Sequence, residues 1–276
     1  MIKCIVFDLD HTLLNDDKVI TPFTLKMITK LKEMGILVTL ASGRAEPLML
    51  PYVNALDITL PVIANNGALI KNFSTKEVLH EAMLNEEAQS EILQDAIDNN
   101  LPYIFYSDSI FYVNSEERVA FYKQWNQMYP EAFIKIKITN DFDYLSQKKS
   151  YKLLLIIEDE VTFDHYYKKY INHPDAYVTR SQDTFLDVLP KNSNKGNAVR
   201  MLANHLNIGL DEILAFGDND NDAKMLNSVG LSIAMPNGSK KAMESATFLA
   251  PFTNQEEGVA KALELLIKQG ILQPVK

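Results

Sequence analysis

Cys4-Ile5-Val6-Phe7-Asp8-Leu9-Asp10-His11-Thr12-Leu13-Leu14 is the stretch from which the rest of the chain is read. Residues 2–7 form a short apolar run rich in β-branched side chains, the pattern of a strand buried on both faces. Two carboxylates, Asp8 and Asp10, arrive where that run ends. In a parallel α/β sheet the carboxyl ends of the strands are where ligands bind. Residues two apart on an extended chain point to the same side, and two carboxylates that close repel unless a cation or a shared proton lies between them. A hard ion such as Mg2+, which takes oxygen ligands, meets that need. Alone, the pair reads equally as a polar turn after a strand.

Working outward, Thr21-Pro22 offers an N-cap and first-turn proline to a helix with Leu25, Ile28 and Leu31 at helical spacing, and Gly35 ends it. Residues 36–41 form a second apolar strand, so strand, helix and strand make a parallel crossover that runs into Ser42-Gly43-Arg44. A helix over 46–55 and a strand over 62–64 follow, ending in the turn signal Asn65-Asn66-Gly67. The pattern changes near Val78. An amphipathic helix spans 86–99, and aromatic-rich strands span 103–106 and 110–113, joined at Ser107-Asp108-Ser109. A helix over 116–128, a strand over 152–157, a helix over 163–171 and strands over 176–180 and 185–189 complete an antiparallel sheet with helices. The parallel pattern returns after Pro190, with helices over 195–206, 222–228 and 258–269 and strands over 212–216 and 231–234. The fold class is therefore α/β: a Rossmann-like parallel-sheet core over 1–82 and 185–276, with an inserted α+β domain over 83–184.

The chain has 276 residues, enough for one large domain or two smaller ones. It carries 27 basic against 36 acidic residues, a formal charge of −9. That argues against a general nucleic-acid binder, but a few local cations and a metal still admit phosphorylated substrates. Cys4 is the one cysteine, so no intramolecular disulfide forms, and it reads as a small core residue rather than a catalytic thiol. The start shows no signal-peptide pattern, and no apolar run approaches the roughly 20 residues of a membrane span. The expectation is a cytoplasmic protein, a monomer or small homo-oligomer, with neither nucleic-acid nor membrane partners.

Four groups stand at expected strand ends or helix starts: Asp8-Leu9-Asp10-His11-Thr12, Ser42-Gly43-Arg44, Asn194-Lys195-Gly196 and Gly217-Asp218-Asn219-Asp220-Asn221-Asp222. Singly, the second reads as a turn, the third as a solvated helix start and the fourth as a solvated acidic loop. Together their chemistry fits: carboxylates hold a metal, hydroxyls and N–H groups hold phosphate oxygens, and a lysine neutralises phosphate charge.

The ordered set resembles the four motifs of haloacid dehalogenase-like phosphatases, and its spacing and inserted domain resemble the Cof-type sugar-phosphatase branch, over nearly the whole chain. The resemblance implies an aspartyl-phosphate mechanism with Asp8 as nucleophile and Asp10 as general acid, then base. It implies a Mg2+ site from Asp8, Asp218 and the backbone carbonyl of Asp10. Ser42, the Gly43 N–H and Lys195 would hold the phosphoryl group, with Asn221 helping to orient it. Asp222 would support Lys195 and the metal site, Thr12 would fix the turn, and Asp220 would face solvent. Arg44 and Asn66 each either bind substrate or brace a loop. The inserted domain would act as a cap that selects the substrate. Two positions depart from the family pattern: His11 and Pro236 stand where glycine is common. His11 is then a turn residue whose imidazole could still titrate near Asp8. The expected activity is a Mg2+-dependent phosphatase of small phosphorylated metabolites, sugar phosphates or phosphorylated cofactors. The alternatives are a dedicated sugar-phosphate phosphatase, a phosphomutase, or a non-catalytic regulator that binds such metabolites.

Overall fold

The computed structural model of the chain describes residues 1–107 and 110–275. Its central strand, Cys4–Phe7, pairs in parallel with Ile213–Gly217 on one side and Leu37–Leu40 on the other. Side chains of that strand alternate between two apolar clusters. Ile5 and Phe7 join Met27, Ile28 and Leu31 of helix Pro22–Glu33 and Leu263 of helix Gly258–Lys268. Cys4 and Val6 join Ala198, Val199 and Leu202 of helix Lys195–Leu206. A strand with no solvent face can carry an unbroken apolar run, as this one does.

Leu231–Ala234 and Phe248–Leu249 extend the parallel sheet beyond Ile213–Gly217. On the other flank Ala41 bridges in parallel to Ile63 of Val62–Ala64. Connections from the central strand thus diverge to both sides, which opens a crevice at its carboxyl end. Caps set where the helices begin. Thr21 Oγ1 accepts the Thr24 N–H at 3.2 Å, and Asn194 Oδ1 accepts the Asn197 N–H at 2.9 Å. Val62–Ala64 also pairs antiparallel with Leu69–Lys71, and that strand with Val78–Glu81. Strands this short show no period in a sequence.

The inserted segment forms a six-stranded sheet in the order Ala176–Gln182, Phe185–Pro190, Lys152–Ile156, Tyr103–Tyr106, Ile110–Val113, Lys135–Ile138. All neighbours are antiparallel except the last two strands, which are parallel. The turn expected at Ser107-Asp108-Ser109 lies at residues 108 and 109 outside the described residues, while the strands it joins pair with Tyr106 opposite Phe111. Helices Glu86–Asp98 and Glu160–Tyr170 cover one face through Ala88, Ile92, Phe163 and Tyr166. From the other face Ile104, Tyr106, Leu154 and Ile156 join the apolar cluster of the core. Helix Glu160–Tyr170 starts earlier than its apolar pattern, because Asp159 caps it by accepting the Thr162 N–H at 2.7 Å.

The first crossing falls near Ala82, whose N–H reaches Ala68 in the core, while the Leu84 N–H reaches Ser150 in the inserted segment. The second crossing differs from the expected 184/185 boundary. That boundary would cut the hairpin Ala176–Gln182 and Phe185–Pro190, so the inserted sheet runs on to Pro190. No helix among the described residues is long and apolar enough to cross a membrane.

Cys4 is fully buried in the central strand, and burial pushes its thiol up to about 12. A thiol reagent at about pH 8.5, the pKa of a free cysteine, should label Cys4 only after urea unfolds the chain. Labelling of the native protein at the free-cysteine rate would contradict the buried central strand.

Candidate active site

The central strand delivers Asp8 to the crevice, with the Asp8 N–H continuing the ladder onto the Phe216 carbonyl at 3.0 Å. The chain then leaves strand geometry for a single wide turn, Leu9–Leu13, closed by the Leu14 N–H on the Leu9 carbonyl at 2.9 Å. His11 takes a left-handed backbone there, φ 57°, which explains why glycine suits the position. Its ring stands 3.9 Å from Asp16, and its carbonyl accepts from Asn237.

Lys195, at the first turn of its helix, is fully buried rather than solvated. Its ammonium lies 2.5 Å from Asp8 Oδ1 and 2.5 Å from Asp222 Oδ1. Asp222 Oδ2 accepts the N–H groups of Asp218 and Asn219, each at 3.0 Å, so both its oxygens are engaged. Thr12 Oγ1 donates to Asp218 Oδ1 at 2.8 Å. Ligand oxygens of Asp8, Asp218 and Asp222 all lie within 4.8 Å of one another. One ammonium thus faces three buried carboxylates. Burial, then the Asp222 charge, raises Asp8 to about 7 although Lys195 opposes them. Burial, then Asp8 and Asp222, also raises Asp218. Burial pulls Lys195 down, but Asp222 and Asp8 outweigh it and keep the ammonium above its usual range. The excess negative charge and the all-oxygen donors fit a hard divalent cation at Asp8 and Asp218.

Asp10 has different partners from Asp8, because the extended chain ends before it. Arg44 grips it with two hydrogen bonds, Nε to Oδ2 and Nη2 to Oδ1, both 2.8 Å, and Lys18 Nζ stands 3.2 Å from Oδ1. Burial opposes ionisation of Asp10, but Arg44 and then Lys18 hold it well below the usual carboxylate range. Arg44 also donates to the Leu48 carbonyl and lies over the Tyr52 ring at 5.0 Å, so in this arrangement it braces Asp10 and its own loop.

Buried Ser42 and half-buried Gly43 sit in a loop tied to the Asn65-Asn66-Gly67 turn. The Ser42 carbonyl accepts the Asn66 N–H and the Arg44 carbonyl accepts the Asn65 N–H, both at 2.9 Å. Ser42 Oγ accepts the Arg44 N–H at 3.1 Å. Asn221 Nδ2 donates to Asn66 Oδ1 at 2.9 Å, which makes Asn66 a brace. Asp220 is part-exposed and stands 3.6 Å from Lys241. Pro236 is accommodated as the second residue of a turn closed by the Gly238 N–H on the Met235 carbonyl at 3.0 Å. Gly238 is required as the last residue of that turn, since a Cβ there would lie 2.2 Å from the Asp218 carbonyl oxygen. Sequence reasoning missed Lys18, Lys152 and Asp187. For the last two a signal existed: each is a charge within a strand whose other residues are apolar or buried.

A family model described as haloacid dehalogenase-like hydrolase matches residues 5–263. The Bacillus subtilis protein named 5-amino-6-(5-phospho-D-ribitylamino)uracil phosphatase YwtE is 28% identical over 286 residues, covering 96% of this chain and 98% of its own. The solved structure of a haloacid dehalogenase-like hydrolase from B. subtilis, 25% identical, matches with a TM-score of 0.84 over 96% of this chain and 100% of that one. The subclass IIB sugar phosphatase BT4131, 21% identical, shares the fold with a TM-score of 0.79 over 98% of this chain and 99% of its own. With that family model matched over nearly the whole chain and relatives named as phosphatases, the chain belongs to the haloacid dehalogenase-like hydrolases, in their Cof-type branch, as a phosphatase.

Proposed function

We propose that the chain is a Mg2+-dependent phosphatase of small, hydroxyl-rich phosphorylated metabolites, working through an aspartyl phosphate on Asp8. The observation that carries this reading is the buried Lys195 set against Asp8 and Asp222, with Asp218 beside them. Asp8 attacks phosphorus through its carboxylate while Lys195, Ser42, the Gly43 N–H and Asn221 hold the phosphoryl oxygens. Asp10 gives a proton to the leaving oxygen, then takes one from the water that attacks the aspartyl phosphate. Inorganic phosphate leaves and the Asp8 carboxylate is restored. Mg2+ held by Asp8, Asp218 and the Asp10 carbonyl would draw charge from the phosphoryl oxygens. Arg44 and Lys18 keep Asp10 ionised, the form that activates water, so their grip has to loosen before Asp10 can donate a proton.

The leaving group is read from the cleft beside Asp218, of about 400 Å³. Gln182 and Asp183 of the inserted domain face Asn219, Ser239, Thr253 and Asn254 of the core across it. Amides and hydroxyls both donate and accept, which suits a polyol. Among the described residues the lining's one ring is the His11 imidazole, with no Phe, Tyr or Trp to stack a base and no Lys or Arg to hold a second phosphate. The B. subtilis relative described above is named for a substrate that joins a phosphorylated ribityl chain to a uracil ring, and the polyol part of that substrate supports this reading.

The test is turnover of an aryl phosphate with and without Mg2+, followed by a panel of polyol phosphates and nucleotides. No turnover in any of them sinks the reading. Asp8→Asn should lower kcat by about 10⁴-fold or more while the protein stays folded. Asp10→Asn should cost roughly 10²–10⁴-fold, most with poor leaving groups; an equal loss for good and poor leaving groups counts against the acid role.

Activity should vanish in excess chelator and return with Mg2+, while the larger Ca2+ should inhibit. Thr12→Val removes the hydroxyl that orients Asp218, and should weaken Mg2+ binding by roughly 10–100-fold. Calorimetric titration of the ion reads this directly, and an unchanged affinity would show that the Thr12 hydrogen bond does not hold Asp218 for the metal.

A further inference from the structure

Lys152 and Asp187 lie on neighbouring strands of the inserted domain, yet both reach the core. Asp187 stands opposite Leu154, so Lys152, two residues earlier on that strand, projects from the same face. Lys152 Nζ lies 2.9 Å from Asp187 Oδ1 and 2.9 Å from the carbonyl oxygen of Gly43. Their side chains are 5% and 0% exposed, and the ammonium lies 5.1 Å from the Tyr106 ring centre. Asp187 Oδ2 accepts from Asn66 Nδ2 at 2.6 Å.

A carboxylate only accepts, so Asp187 dictates which end of the Asn66 amide faces it. With the nitrogen of Asn66 turned to Asp187, its oxygen meets Asn221, and Asn221 has to answer with its own nitrogen. Asn221 Oδ1 is thereby turned elsewhere, buried and without a hydrogen-bond partner among the described residues. One charge in the inserted domain thus sets the orientation of two amides in the core. The turn that carries Asn66 is stiff. Asn65, Asn66 and Gly67 are all left-handed, φ 48°, 54° and 97°, and a Cβ on Gly67 would lie 2.7 Å from the Asn194 carbonyl oxygen, next to Lys195.

We propose that Lys152 and Asp187 are positioning residues for phosphoryl transfer: they set the Gly43 loop and, through Asn66, the Asn221 amide when the inserted domain is seated on the core. This rests on the roles given above to Gly43 and Asn221. A domain that only shields the site or selects leaving groups would not need the pair for a small ester. A domain that orders the phosphoryl-binding groups needs it for every ester.

The test uses the full-length chain with Lys152→Met and Asp187→Asn together, since removing one partner alone would strand a buried charge. Wild-type turnover of an aryl phosphate is read first; its absence overturns the phosphatase assignment, not this proposal. With turnover established, the folded double variant should lose roughly 10- to 100-fold in kcat on the aryl ester. Its inhibition constant for inorganic phosphate should rise by about tenfold, a shift that lost stability alone does not produce. Lys152→Arg, which keeps the charge, should recover part of kcat. Wild-type kcat and phosphate inhibition in the double variant overturn the proposal, as does a loss confined to larger esters. Should the double variant not fold, Lys152→Arg is read by itself. It alters the reach to Gly43, and unchanged kcat and phosphate inhibition would then overturn the positioning role.

Discussion

A single ammonium buried among three carboxylates is the constraint on which the core depends. Lys195 comes from a helix start, Asp8 from the end of the central strand, and Asp218 and Asp222 from the loop after Ile213–Gly217. Charges removed from water are tolerated only when paired and hydrogen-bonded. By spanning Asp8 and Asp222, Lys195 fixes how far apart those elements lie. It still leaves negative charge in excess, and that excess adds to burial, the larger cause, in raising Asp8 and Asp218. Such a cluster repels a phosphate dianion unless a cation enters with it. The under-neutralised state thus couples cation and phosphoryl binding: each offsets the charge that would exclude the other.

Backbone geometry at the strand ends follows from the need to crowd these groups together. His11, Asn65 and Asn66 are left-handed without being glycine, and all three lie in turns that follow core strands. Each carries some strain, held by packing and hydrogen bonds on every side. The Asn65-Asn66-Gly67 turn touches the Ser42 loop, the Asn194 loop and Asn221 at once. A relaxed turn would not place one amide against all of them.

The central strand and the four groups at strand ends or helix starts were legible in the sequence because each signal is local: an unbroken apolar run, a cap, carboxylates just after a strand. Lys195 was legible as a residue type in the right order, but its burial was not, since a helix start is usually wet. The grip of Arg44 on Asp10 joins residues 34 positions apart, and no local pattern announces it. Lys152 and Asp187 left a trace, a lone charge in each of two buried strands, which gains meaning only once the strands are known to be neighbours. The boundary at Pro190 was hidden for a related reason. Phe185–Pro190 leads straight back to the core in sequence, but its hydrogen bonds belong to the inserted sheet.

The seam between inserted domain and core combines two kinds of contact with opposite consequences. Ile104, Tyr106 and Leu154 share an apolar cluster with the core, which favours closure in proportion to area removed from water. Lys152 and Asp187 at the same seam lose hydration on closure, and the desolvation of a buried ion pair can exceed what its attraction returns. An all-apolar seam would hold the inserted domain down; on the proposed function the domain has to lift to release phosphate and the leaving group. Placing the ion pair there makes closure exacting in geometry, since an off-register domain would leave the ammonium without the Gly43 carbonyl and the carboxylate without Asn66. The apolar contacts decide that the domains meet, and the charged pair decides in which register they do so.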